Sequence, residues 1–147
     1  MTERTNSSGM TELEQQLTLF ARKAVWRSWS RGYQGLDHIT YPYLAAVALQ
    51  GESRVADLAK RFAVDKSTAS RHVAKLQAAG LVKPVENPPD ARSIPLCATA
   101  AGMRLLADVQ AERAAWLRAA LADWDEEDQR VLATLMARLN SGLESTL

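Results

Sequence analysis

The segment VADLAKRFAVDKSTASRHVAKLQAAG, Val55 to Gly80, leaves this chain few ways to fold. Apolar residues recur at helical spacing twice: Val55, Leu58, Ala59 and Phe62, then Ala69, Val73 and Leu76 with Gly80 on the same arc. The link between the two runs, AVDK, is long enough only for a tight turn. Asp65 carries a side chain suited to capping the second helix, and Gly80 is a natural stop for it. Two short helices at this separation are predicted to form a helix-turn-helix. With the apolar arc turned to the core, Ser67 and Arg71 project oppositely, flanked by Thr68, Ser70 and Lys75. That outer face consists of hydroxyls and cations. Arginine can bond bidentately to guanine, serine and threonine to phosphates or base edges, and lysine to phosphate. On an ordinary helix pair the same residues would be a solvated polar face.

The segment after Gly80 separates these two possibilities. The runs LVKPVE (81–86) and SIPLCA (93–98) are short and β-like, and they flank the loop NPPDAR. Pro95 lies in the second run, so its nitrogen has to face away from the pairing partner. A helix-turn-helix continued directly by a β-hairpin is a winged helix, with the hairpin as its wing. Pro88 and Pro89 reduce the loop's freedom and so the entropy lost when Arg92 is placed. Asp90 is positioned to bond either the guanidinium or the loop backbone and so aim the arginine. A narrow minor groove concentrates negative potential and attracts such an arginine. Without DNA as a partner, Asp90-Ala91-Arg92 would be a polar turn.

Charge is distributed accordingly. Residues 54–83 carry seven Lys/Arg against two Asp/Glu, giving +5, whereas 101–147 carry five against eight, giving −3. The net +1 of the chain hides this local basic patch. Screening over about 10 Å means that an anionic polymer would feel the patch rather than the total.

The remaining segments frame this centre. A length of 147 residues suits one domain. Residues 1–10 are polar and read as a disordered tail with no signal-peptide core. Thr11-Glu12-Leu13-Glu14 has the capping-box pattern and is expected to open a helix reaching about Gly32. Leu13, Leu17, Phe20 and Ala24 form one apolar stripe on it, and Leu19, Trp26, Trp29 and Tyr33 a second. Thr40 is expected to cap a helix with Pro42 in its first turn and Gly51 at its end. Thr99 is expected to cap a long helix to about Leu121, and the acids 125–128 favour the dipole of a last one. The predicted fold is mainly α with a small β-hairpin wing, in the order ααααββαα. Residues 11–147 form a single domain, with a winged helix-turn-helix core at 40–99 and dimerisation helices at 11–33 and 100–145.

On these motifs the chain resembles the multiple-antibiotic-resistance regulator (MarR) family. The resemblance rests on STASRHVAKL as the recognition helix, on the Asp90-Ala91-Arg92 wing and on the Thr99-x-x-Gly102 opening of the next helix. Ala98 stands where the family usually has leucine, and Ala91 where it has glycine or a basic residue. The resemblance implies a dimeric transcription regulator, usually a repressor. It implies DNA contact through Ser67, Thr68, Ser70, Arg71, Lys75, Asp90 and Arg92 at a pseudo-palindromic operator. It also implies release by a small aromatic or carboxylate effector. Candidates for that site are Arg22, Trp26, Trp29, Tyr33 and Tyr41, aromatics and an arginine that could hold an aromatic acid.

Other classes fit less well. The sequence has no phosphate-cradling glycine loop and no HExxH or CxxC spacing, so neither catalysis nor a cofactor is expected. His38, His72 and Cys97 are too dispersed for a metal site. The lone Cys97 fits a reducing, cytoplasmic setting, nucleoid-associated when the protein holds DNA. No apolar run is long enough for a membrane span. The alternative is a winged helix used only for protein–protein contacts, which would not need the cationic helix face or the wing arginine.

Overall fold

A computed structural model describes residues 2–24, 36–90 and 92–146. The chain divides into two compact units, Met1–Ile39 and Thr40–Leu147. In the first, helix α1 spans Thr2–Ala24. It starts well before Thr11 and takes in the stretch expected to be a disordered tail. No proline interrupts 2–24, and once a helix is nucleated each further residue adds a hydrogen bond for little entropy. The predicted capping residue is therefore an interior one. Leu13, Leu19 and Phe20 are exposed on α1. Trp26, Trp29 and Tyr33, and the expected helix end near Gly32, lie outside the described residues.

The second unit has the predicted order: α2 (Tyr41–Gln50), α3 (Val55–Arg61), α4 (Lys66–Ala78), β1 (Val82–Pro84), β2 (Leu96–Ala98), α5 (Ala100–Ala120) and α6 (Glu126–Thr146). Helix α2 supplies the centre of the core, burying Tyr41, Tyr43, Leu44, Ala46 and Val47. It ends at Gly51, whose φ of 77° suits a residue without Cβ. Thr40 does not cap it: its backbone is already helical and its side chain makes no capping bond. The Thr40 hydroxyl is instead buried 2.9 Å from His72 Nδ1 on α4. A partner distant in sequence has displaced the local one.

On α3, Leu58 and Ala59 are buried and Val55 is half-buried, as is Phe62 at its C-terminal cap. The Phe62 ring packs 4.4 Å from that of Tyr43. Helix α4 buries Ala69, Val73 and Leu76 as its periodicity requires. Gly80, expected on the same arc, is exposed and forms the turn after the helix, with φ 70°.

The wing strands pair antiparallel with Val82 opposite Ala98, Lys83 opposite Cys97 and Pro84 opposite Leu96. Pro95 precedes β2 and contributes only its carbonyl, which accepts from the Val85 N–H at 2.9 Å. The wing has a third partner that the sequence does not announce. Ser53, ahead of α3, exchanges both backbone bonds with Leu96, at 3.0 and 2.8 Å. The wing is thereby fastened to the start of the helix-turn-helix.

Thr99 caps α5 by accepting from the Gly102 N–H at 3.0 Å. Its hydroxyl donates to the Gly80 carbonyl at 2.6 Å, and its N–H to that of Leu81 at 3.0 Å. The first half of α5 is core, burying Leu105, Leu106 and Val109. Its second half and α6 are largely exposed.

Candidate nucleic-acid interface

The outer face of α4 is built from its N-cap. The Asp65 carboxylate accepts from the Thr68 N–H at 2.8 Å and the Thr68 hydroxyl at 2.7 Å, and the Ser67 hydroxyl also donates to it. These bonds, that from Ser67 foremost, hold the Asp65 carboxyl well below the usual carboxylate range. The network continues outward, because Arg71 Nη2 donates to Thr68 Oγ1 at 3.0 Å. A guanidinium anchored at one nitrogen loses less freedom on meeting a base edge. The hydroxyl hydrogens of Ser67 and Thr68 are therefore committed to Asp65, which leaves both oxygens as acceptors, and Thr68 uses its own to hold Arg71. Ser67, Ser70, Arg71 and Lys75 are exposed, and Thr68 is half-buried.

Behind this face His72 turns inward. Its ring stacks on Tyr43 at 4.7 Å, 22° from parallel, and its Nδ1 meets Thr40. Burial foremost, with the Asp65 charge adding to it, raises the Tyr43 pKa and keeps the phenol neutral. His72 is thus a packing residue that fixes α4 on α2.

In the wing, Asp90 Oδ1 accepts from the Arg92 backbone N–H at 2.9 Å, and the Asp90 carbonyl from the Ser93 N–H at 3.3 Å. Of the two aiming routes open in the sequence, the bond present is the one to the backbone. Arg92 and Asp90 are both exposed. Arg54, the residue before α3, reaches the same loop, with Nε donating to the Ser93 carbonyl at 3.2 Å. The sequence does not single out Arg54, because a bond spanning 39 positions leaves no local signature.

Of the residues expected at an effector site, Arg22 is exposed on α1, and Trp26, Trp29 and Tyr33 lie outside the described residues. Tyr41 is buried, and the arginine placed on its ring is Arg113 of α5, 4.3 Å from the centroid. Burial raises the Tyr41 pKa, against the opposing pull of Arg113. Nothing in the sequence points to Arg113, since it is one of three arginines spread along an alanine-rich helix and looks like surface. No helix among the described residues is long and apolar enough to cross a membrane.

Comparison with known proteins agrees with the winged helix-turn-helix fold. Residues 34–93 match the model of the MarR family. The Bacillus subtilis protein described as the uncharacterized HTH-type transcriptional regulator YxaD is 31% identical over 136 residues, covering 92% of this chain and 95% of its own. Among solved structures, that of MarR superposes with a TM-score of 0.75 at 20% identity, over 91% of this chain and 92% of its own. NadR in complex with 4-hydroxyphenylacetate superposes with a TM-score of 0.61 at 20% identity, over 90% and 89%. At such identities the structural likeness speaks for the fold.

Proposed function

The chain belongs to the MarR family of transcription regulators, and we propose that it acts as a homodimeric repressor at a pseudo-palindromic operator. In this reading α4 enters the major groove, where Arg71 reads a base and Ser67, Thr68, Ser70 and Lys75 set the register on the backbone. Arg92, held on the wing by Asp90, takes the flanking minor groove. The observation that carries the reading is the anchored Arg71 on an exposed face of hydroxyls and cations, within a stretch of charge +5. A winged helix serving protein contacts alone would not need that face, and no observation favours it. The family is one of regulators rather than enzymes, and the site of action is the cytoplasm, on the nucleoid.

The test is binding of purified protein to genomic fragments across a salt series. Affinity is expected to fall steeply with salt as lysine and arginine displace condensed counterions. Binding that is absent, or indifferent to salt, would refute the reading. An effector that is a small aromatic or carboxylate completes the proposal. It is supported by the NadR complex, whose ligand is both, and by an aromatic–arginine pair at Tyr41 and Arg113.

A further inference from the structure

We infer that Arg54 is a positioning residue for the wing, holding the Ser93 carbonyl and thereby setting where Arg92 stands relative to α4. The inference rests on the DNA-binding reading above and adds a residue to it. Arg54 occupies the place where the helix-turn-helix and the wing share a strand-like join. Immediately before it, Ser53 exchanges two backbone hydrogen bonds with Leu96 and pins the start of β2. Those bonds stop at Leu96, and the arm from Arg92 to Pro95 continues beyond them toward the tip. The Arg54 side chain, half-buried, extends the join along that arm by donating from Nε to the Ser93 carbonyl at 3.2 Å.

From there two bonds lead to the tip, from the Ser93 N–H to the Asp90 carbonyl and from the Arg92 N–H to Asp90 Oδ1. A wing arginine is useful only if it reaches its groove while α4 sits in the adjacent one, so the separation between them has to be fixed in advance. Pro88 and Pro89 stiffen the other arm of the loop. Arg54 ties this arm to the residue that opens α3, and α3 packs against α4.

The test is a double-mutant cycle on operator DNA with Arg54→Gln, Arg92→Ala and the double variant, alongside hydrogen–deuterium exchange of the DNA-free proteins. If Arg54 acts through the wing, Arg54→Gln weakens binding about five-fold or more in the wild-type background and less than about two-fold once Arg92 is gone, as coupled residues do. The slope of log affinity on log salt in the double variant then equals that of Arg92→Ala. Additive losses, or a slope lower by about one further unit, would make Arg54 a phosphate ligand in its own right and overturn the inference. In the DNA-free protein, Arg54→Gln should speed exchange across 92–98 while α3 and α4 keep their protection. Unchanged exchange there overturns the brace whether or not any DNA is bound, whereas a wild type that ignores DNA counts against the regulator reading alone. Should Arg54→Gln melt substantially lower than wild type, Arg54→Met, which keeps the aliphatic stem but has neither charge nor donor, takes its place in both measurements.

Discussion

Arg71 and Lys75 stand about one helical turn apart on α4, and in the proposed reading they serve different parts of a duplex. The Arg71 guanidinium is planar and held at one end by Thr68, which in turn donates to Asp65. Planar, pre-set donors match the paired acceptors of guanine, whereas a lysine ammonium offers a point charge that serves any phosphate. Arg71→Ala is therefore expected to cost about 1–3 kcal/mol on the specific operator and to relax specificity at one base pair per half-site. Lys75→Ala should weaken specific and random DNA alike. Titrations on both kinds of DNA decide it, and equal losses for the two variants would mean that Arg71 reads no base. The types of these residues and the face they share were legible in the sequence, because helical periodicity dictates which side chains point away from Ala69, Val73 and Leu76. The bonds among them were less so. Any of several hydroxyls can satisfy a capping carboxylate, and only the rotamers show that Ser67 and Thr68 both turn to Asp65.

At the scale of elements, the junction between α4, β1 and α5 depends on one small residue. A Cβ on Gly102 would collide with the Leu81 carbonyl oxygen and come within 3.2 Å of Leu44 Cδ1. The same carbonyl accepts from the Thr99 N–H, so the backbone there has little room to move. Alanine is the better helix former by about 1 kcal/mol, and in an open helix Gly102→Ala would stabilise. Here overpacking of about 1–3 kcal/mol opposes it, and a net loss of up to about 2 kcal/mol is expected. Chemical denaturation reads the sign directly: a stabilised Gly102→Ala variant would show that this contact is not tight. This junction also shows where pattern reading succeeds and where it stops. The Asp65 and Thr99 caps are dictated by residue type and spacing, and both are present. The Thr40 cap is expected from the same rule and is absent, because His72 offers its hydroxyl a partner that is distant in sequence. The bridge from Ser53 to Leu96 is likewise a product of tertiary approach, with no turn or periodicity to announce it.

For the whole molecule, the open question is where the apolar surface of the last two helices goes. In the single chain Leu117, Val131, Leu132, Leu135 and Leu143 are exposed large apolar residues, and Met136 and Leu139 are only half-buried. Leu105, Leu106 and Val109, on the first half of the same α5, are fully used in the core. Exposed apolar residues so concentrated on two consecutive elements call for a second body. A second copy of the chain, joined about a two-fold axis, would also set two α4 helices about 34 Å apart and match a pseudo-palindrome of half-sites roughly 10 base pairs apart. Leu135→Glu places a charge within that surface and should leave the folded monomer intact, since Leu135 is 52% exposed in it. Loss of an interface anchor costs about 2 kcal/mol or more per site. Sedimentation is thus expected to show dissociation of the variant at concentrations where wild type is dimeric, with melting of the individual subunit little changed. Operator affinity should fall to that of an isolated half-site, because the second α4 no longer arrives tethered to the first. A Leu135→Glu protein that remained dimeric and bound the full operator like wild type would place the dimer contact elsewhere.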